Sequence, residues 1–466
     1  MKKLAVIHAT GEQLPIISQN RLGVEVICGA AGSGKTSTAL LRLRSLCYMY
    51  LARHERVGNK SPVKILVLTF NRTLSGYVSA LAQSQIDRGL NVEVEISTFA
   101  KWAIEKLGRP RVVEDATDRL RPLVASIGNL TEKYAISEVD YAMGRFTPGN
   151  LEEYLNSERT GRGNQPRVDK NLRKKLLDEV IKPYQKALTD SEQLDWNLLA
   201  VSMAQEIDPI GYEVVIVDES QDFSANQLRA IKKHLAPEHT VTFVIDTVQR
   251  IYARGFTWIE AGFDVRPERS HRLEVNHRNT AQIAALAAGI LNGINVEGEG
   301  ALPNLKTTKT AGALPVVLAG YYRDQINWAV NFIKQNIDLT QESVAFLKPL
   351  GGKWFAYMKQ HLNDSRIPFV EITRESEWPE GTENVALSTF HSAKGLEFDY
   401  VFILGLSHES TPHGDEEHDD QLLVLRRLLA VAVARARKHV VIGYKPGEES
   451  NLMQFFPVGT FTAINV

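Results

Sequence analysis

The chain has 466 residues, with 54 basic and 55 acidic side chains and a formal charge of −1. That length leaves room for about two to four domains with sizeable cores. The charge balance excludes a global basic field, so any polyanion must be held by local patches. Two cysteines, Cys28 and Cys47, make neither a disulfide framework nor a four-ligand zinc site. The opening Met-Lys-Lys-Leu-Ala-Val-Ile-His carries too short an apolar run for a secretory leader, and no stretch approaches the roughly 18 apolar residues of a membrane span. These features predict a soluble protein of a reducing cytoplasm, with no membrane partner.

Along the chain, short β-rich apolar runs alternate with helical patterns, which predicts an α/β fold of parallel sheets covered by helices. The first set of strands is expected at residues 24–28, 65–68, 94–97, 214–217 and 241–245. A second set is expected at 316–319, 344–347, 385–388, 400–404 and 440–443. Two such sets imply two similar domains. The first is interrupted by residues 103–209, which read as helical and carry no run of this kind. The expected boundaries are 1–102 and 210–275 for the first domain, 103–209 for the insert and 276–466 for the second domain. A Gly/Asn-rich stretch at 292–304 reads as a loop.

The first run feeds into Gly29-Ala30-Ala31-Gly32-Ser33-Gly34-Lys35-Thr36, a complete G-x-x-x-x-G-K-[ST] phosphate loop. Its glycines let consecutive N–H groups converge on phosphate oxygens. Lys35 supplies charge for the β- and γ-phosphates, and the Thr36 hydroxyl is placed for Mg²⁺. The helix-forming residues from Ser37 onward put the phosphates at a helix N-terminus. The chain is therefore expected to bind ATP or a similar nucleoside triphosphate with Mg²⁺.

The fourth run, Val-Val-Ile-Val, ends in Asp218-Glu219-Ser220-Gln221-Asp222. One acid can hold Mg²⁺ while its neighbour polarises the attacking water. Alone, an Asp-Glu pair reads equally well as a solvated turn. Beside a phosphate loop the catalytic reading prevails.

Asp-Glu-Ser-Gln-Asp resembles motif II of the UvrD/Rep/PcrA branch of superfamily 1 DNA helicases, and the family's other motifs follow in order. Gln13 stands where the family reads adenine. Thr69-Phe70-Asn71 resembles motif Ia, and Ser97-Thr98-Phe99 resembles motif Ib. The stretch from Asp246 through Gln249 to Tyr252 is similar to motif III. Asn276-His277-Arg278 looks like motif IV. The stretch from Thr389 and His391 through Lys394-Gly395 to Glu397-Phe398 looks like motif V, and that from Arg426 to Arg435-Ala436 like motif VI.

The resemblance implies two RecA-like domains with ATP and Mg²⁺ between them. Lys35, Glu219, Gln249, Arg278 and Arg435 would be catalytic, the two arginines acting as fingers on the γ-phosphate. Gln13, residues 29–37 including Ser37, and Glu397 would hold the nucleotide, and Thr36 and Asp218 the metal. Thr69, Phe70, Thr98, Phe99, Tyr252, Thr389 and His391 would contact a single strand of DNA, or of tailed duplex. Each of those aromatics has a core-residue alternative. The insert adds a basic stretch, Arg159, Arg162, Arg167, Lys170, Arg173, Lys174 and Lys175, which reads either as a phosphate track or as a solvated helix face.

Three departures from the pattern matter. The usual tryptophan after Tyr252 is missing, so base stacking must pass to Trp258 or Phe256 or be lost. Ala434 replaces a threonine, and Val424-Leu425 replace an acidic pair. The interval from Arg278 to Val385 is too short for the large accessory domain of full-size relatives. The leading expectation is an ATP-dependent helicase or single-strand translocase moving 3′ to 5′. The rivals are a DNA-stimulated ATPase subunit that gates a partner such as a nuclease, and, lower, an RNA-directed ATPase.

Overall fold

A computed structural model describes residues 9–29, 33–69, 79, 82, 85–87, 89–128, 130–159, 167–246, 256–273, 275, 279–294, 310–349, 354–372, 381, 383–393, 396–413 and 420–466. Among these described residues, thirteen strands fall in two sheets. The first sheet holds β1 (Gly23–Gly29), β2 (Val63–Thr69), β3 (Val92–Thr98), β4 (Tyr212–Val217), β5 (Leu235–Asp246) and β6 (Ser270–Leu273) in the order β3-β2-β4-β5-β1-β6. The second holds β7 (Val316–Ala319), β8 (Val344–Lys348), β9 (Val370–Ile372), β10 (Val385–Thr389), β11 (Phe398–Ile403), β12 (Ala436–Tyr444) and β13 (Thr462–Asn465) in the order β13-β7-β12-β11-β8-β10-β9. Every pairing between these strands is parallel. All ten expected runs are strands. β6, β9 and β13 were not expected.

The second sheet repeats the first. Reading β10-β8-β11-β12-β7-β13 against β3-β2-β4-β5-β1-β6 matches the strands one for one in chain order, with β9 added at one edge. The amino-acid sequence shows no internal repeat, so the repetition lies in the topology. In both halves central strands are apolar on both faces because helices cover both sides. Val214–Val217 and Val344–Leu347 are buried throughout.

One exception sits inside β1. Glu25 interrupts the run and has no exposed surface, yet it is held by Arg21 at 2.5 Å and by His271 of β6 at 2.7 Å. Arg42, equally buried on the helix α2 (Lys35–Val57), donates to the Ile16 carbonyl. The cluster ties edge strand β6 and α2 to the first strand.

Further helices are α1 (Leu14–Ser18), α3 (Phe99–Lys106), α4 (Thr117–Val124), α5 (Glu132–Arg145), α6 (Lys170–Lys175), α7 (Lys182–Asp190), α8 (Trp196–Glu206), α9 (Ala225–Lys233) and α10 (Ala281–Ile290). A π-helical turn, Leu176–Ile181, joins α6 to α7, next to Pro183, which has no N–H to donate. The insert has its own apolar core from Leu120 to Leu188, including Val139, Tyr154, Leu177 and Val180. It leaves and re-enters the first domain at a narrow neck, where Val112 and Leu194 bridge and Leu194 N–H donates to the Arg111 carbonyl. The flanking helices α3 and α8 instead pack Trp102, Ala103, Leu199 and Met203 onto the first sheet. Burial thus separates a body near 113–194 within the expected 103–209.

The insert docks tightly. Asn226 of α9 donates to the Met143 and Phe146 carbonyls, and Arg145, itself buried, pairs with Glu260 at 2.6 Å. No described helix is long and apolar enough to cross a membrane.

Candidate functional site

β1 delivers the phosphate loop to the carboxyl end of the first sheet, where α2 begins at Lys35. Two glycines here are required. Gly34 has φ 81°, and a Cβ on it would lie 2.3 Å from Gln13 Nε2. A Cβ on Gly29 would lie 2.5 Å from the Leu273 carbonyl oxygen. Gln13 therefore sits directly over the loop, donating to the Ser33 carbonyl at 3.3 Å while its own oxygen accepts from Thr10 N–H. Ser33 is buried, Ser37 lies on the first turn of α2, and Ala30, Ala31 and Gly32 lie outside the described residues.

β4 brings the acids to the same end. Asp218 N–H donates to the Leu68 carbonyl, and the Thr36 hydroxyl donates to both Asp218 oxygens at 3.1 Å. Burial, and then the neighbouring Glu219, push the Asp218 carboxyl well above the usual range, while Thr36 and Lys35 draw it partway back. Hard oxygen donors, a hydroxyl and a buried carboxylate needing positive charge, fit Mg²⁺. Among the described residues, no group of three or more His, Cys, Asp or Glu is placed to hold a metal ion by itself.

Glu219 adopts φ 53°, the left-handed region that a side chain with a Cβ rarely occupies. Its carboxylate is buried and accepts from the Gln221 amide. Ser220 donates to the Val244 carbonyl at 3.0 Å, anchoring the turn to β5.

Two more residues meet at the amino ends of the second sheet. Phe398 pairs with Ala436, so Glu397 and Arg435, each one residue earlier, lie side by side. Phe398 N–H donates to the Arg435 carbonyl, and Arg435, buried, donates from Nη1 to the Leu396 carbonyl. Sequence reasoning missed Arg437, which donates to Glu397 Oε2 from Nε at 3.1 Å and from Nη2 at 2.8 Å. Arg278 and Gln249 lie outside the described residues. Residues flanking the former are placed. Val275 N–H donates to Glu12, the neighbour of Gln13, and Asn279 donates to the carbonyls of Ala434 and Ala436, either side of Arg435.

The expected strand-contacting residues divide. Thr69 and Thr98 end β2 and β3 as a register pair, and Thr389 ends β10 opposite Lys348 of β8, the equivalent place in the second sheet. Thr98 caps α3 through Lys101 N–H, and the Thr389 hydroxyl accepts from Ser392 N–H at 3.1 Å. His391 is exposed just beyond. Phe99, by contrast, is a core residue, its ring edge-on to Trp102 and Phe223. Trp258 is half-buried with its ring 4.6 Å from Phe243, and Phe256 stands edge-on to it. Phe70 and Tyr252 lie outside the described residues.

In the insert's basic stretch, Arg159 turns inward onto buried Glu138 at 2.9 Å, and Arg173 donates to the carbonyls of Tyr154, Ser157 and Val168. Lys174 pairs with Asp178. These partners take up charge that reads as a phosphate track in the sequence. Arg162 lies outside the described residues.

Two family models match the chain. The UvrD/REP helicase N-terminal domain covers residues 10–256, and the UvrD-like helicase C-terminal domain covers residues 359–446. Among curated proteins, a "Probable DNA helicase" of Mycoplasma pneumoniae is 23% identical over 93% of this chain and 83% of its own length. A "Probable DNA helicase II homolog" of Mycoplasma genitalium is 24% identical over 67% of this chain and 47% of its own. The "ATP-dependent DNA helicase Rep" of Salmonella typhimurium is 33% identical over 16% of this chain and 11% of its own.

Proposed function

Because the chain belongs to the UvrD/REP helicase family, we propose that it is an ATP-driven motor on single-stranded DNA, moving 3′ to 5′ and opening duplex from a single-stranded tail. The observation that carries this reading is the Thr36 hydroxyl 3.1 Å from both Asp218 oxygens, with buried Glu219 next to Asp218 in the chain at a left-handed φ. Lys35 binds the β- and γ-phosphates, and Thr36 and Asp218 hold Mg²⁺, which when bound supplies charge neutralisation on the phosphates. Glu219 orients the attacking water and takes its proton. Gln13 reads the adenine, and Glu397 helps hold the nucleotide. Gln249 senses the γ-phosphate from the first domain, while Arg278 and Arg435 reach it from the second domain's side. Charge on both walls of a cleft then closes the domains with ATP and lets them part after hydrolysis.

The strand would cross the carboxyl ends of both sheets, over Thr69, Thr98, Thr389 and His391, with Trp258 or Phe256 as the stacking platform. The described residues between 281 and 384 all belong to second-sheet elements or their connections. That compactness supports weak unwinding by the chain alone, with a partner such as a nuclease supplying a duplex-splitting surface.

The test is ATP hydrolysis with and without single-stranded DNA, followed by strand displacement from 3′- and 5′-tailed duplexes. DNA-stimulated turnover, displacement from the 3′ tail, and Glu219→Gln protein that binds ATP without hydrolysing it are expected. Turnover by Glu219→Gln near the wild-type rate would refute the site.

A further inference from the structure

Asn279 is almost fully buried, and its side-chain amide nitrogen has two hydrogens to donate. Both go to backbone. Nδ2 donates to the Ala434 carbonyl at 3.0 Å and to the Ala436 carbonyl at 2.5 Å. The carbonyl between them, that of Arg435, accepts from Phe398 N–H at 2.9 Å. Three successive carbonyls are thus held where Ala434 and Arg435 lead from the helix Asp420–Val433 into β12. Each peptide unit is planar, so a residue's backbone angles are set by the peptide planes on either side of it. The plane before Arg435 carries the Ala434 carbonyl, and the plane after it carries its own. Asn279 fixes the first and Phe398 the second, which leaves the Cα–Cβ bond of Arg435 one direction. The last carbonyls of a helix lie beyond its ladder, and Ala434 has no side-chain donor of its own, so the hold on the first plane comes from outside. Asn279 is firmly placed in turn. Thr280 next to it caps α10 by accepting from Ile283 N–H, and α10 packs on the helix Asp420–Val433 within one apolar cluster.

We infer that Asn279 is a positioning residue for Arg435: its amide fixes the backbone from which that guanidinium acts. Because Asn279 directly follows Arg278 in the chain, it also ties the roots of the two arginines together. This inference rests on Arg435 being the γ-phosphate contact proposed above. Asn279 touches no nucleotide in this scheme, so its effect belongs to turnover far more than to binding. A charge that is misplaced by about 1 Å in the transition state can cost about a hundredfold in rate, while the ground state, held by the phosphate loop, is left nearly as tight.

The experiment uses the full chain with saturating single-stranded DNA. KM and kcat for ATP and the melting temperature are measured in wild type, Asn279→Ala, Asn279→Asp, Asn279→Ser, Arg435→Ala and the double variant Asn279→Ala/Arg435→Ala. Equilibrium binding is measured for a non-hydrolysable ATP analogue and for ADP with aluminium fluoride, a mimic of the phosphoryl group in transfer. Asn279→Ala is expected to lower kcat about ten- to a hundredfold and to change the KM for ATP by less than about threefold. It should weaken binding of the aluminium fluoride complex by a factor similar to the loss in kcat, with the ATP analogue nearly unaffected. Asn279→Asp keeps the shape without the donors and should be no faster than Asn279→Ala. Asn279→Ser keeps one donor and should lie between wild type and Asn279→Ala. The double variant should be no slower than Arg435→Ala alone.

A wild-type kcat in folded Asn279→Ala would overturn the inference, whatever its melting temperature. So would equal weakening of the ATP analogue and the aluminium fluoride complex, which marks general support of the helix end, or losses that multiply in the double variant. If Asn279→Ala does not fold, Asn279→Ser carries the test, and a wild-type kcat in that folded variant would count against the inference. A slow Arg435→Ala beside a normal Asn279→Ala refutes this inference alone. Wild-type turnover in Arg435→Ala refutes the proposed role of Arg435, and the inference with it.

Discussion

Replacing Glu25 by glutamine should cost about 3 kcal/mol at neutral pH and almost nothing in strong acid. The carboxylate is fully buried in β1, 2.5 Å from Arg21 and 2.7 Å from His271, with Arg269 at 3.8 Å. Burial by itself raises its pKa. The hydrogen bonds from His271 and Arg21, and the nearby charge of Arg42, outweigh burial and bring the pKa down from 4.5 to about 2. A depression of that size corresponds to about 3 kcal/mol of interaction with the ionised form. That agrees with the roughly 3–5 kcal/mol lost when one member of a buried charge cluster is removed. Glutamine keeps an acceptor for Arg21 but strips Arg42 of its counter-charge, and two nitrogens of that buried guanidinium already lack a hydrogen-bond partner among the described residues. The sign follows from linkage. A carboxyl whose folded pKa is depressed stabilises the fold above its unfolded pKa, and the contribution disappears as pH falls through the folded value. Urea unfolding of wild type and Glu25→Gln, followed by tryptophan fluorescence from pH 7 to pH 2, should show a gap that is constant above about pH 5 and closes towards pH 2. A gap below about 0.5 kcal/mol at pH 7, or one that does not change with pH, would refute this account of the cluster.

Three further outcomes are expected. Gly34→Ala should lose nucleotide binding by more than about tenfold while melting close to wild type, since the new Cβ collides with Gln13 and strains only the loop; normal binding by equilibrium titration would contradict the loop geometry. Arg435→Ala should lower kcat by about a thousandfold with ATP affinity retained, and because Arg435 is buried, Arg435→Lys is run beside it; full turnover in both would reduce the residue to a structural role. Trp258→Ala should weaken single-strand binding by about 1–3 kcal/mol in fluorescence anisotropy, whereas Trp258→Phe should keep the packing on Phe243 and lose less. Unchanged affinity in a folded Trp258→Ala protein would move the test to Phe256.

How much of this was legible beforehand depended on how many neighbours each segment needs. The ten strands foreseen are apolar runs, most of them with a strand on both sides and helices on both faces. The three that escaped, β6, β9 and β13, are all edge strands of four residues or fewer, paired on one side. Ser270-His-Arg-Leu has no apolar run because one of its side chains, His271, serves a buried carboxylate instead of a core. The ends of the insert are hard to read in sequence for a related reason: α3 and α8 are helical like the insert, but their apolar faces belong to the first sheet.

The places of the phosphate loop and of the acid pair were legible in sequence because the parts of each are contiguous. A phosphate loop must follow a strand and open a helix, and the acids must end the neighbouring strand, so chain order already encodes their geometry. Charge without a partner is ambiguous. Arg159 and Arg173 look the same in sequence as phosphate-tracking arginines, yet tertiary structure spends them on Glu138 and on backbone carbonyls. Phe99 sits in a strand-contacting motif and still fills the core, because the helix that Thr98 caps turns its ring inward onto Trp102 and Phe223. Arg437 and Glu397 stand 40 residues apart, and a parallel register that no local pattern specifies brings them to one pair of strand ends. Local chemistry is written in consecutive residues, but which distant charge satisfies a buried one is settled only when the strands take their order.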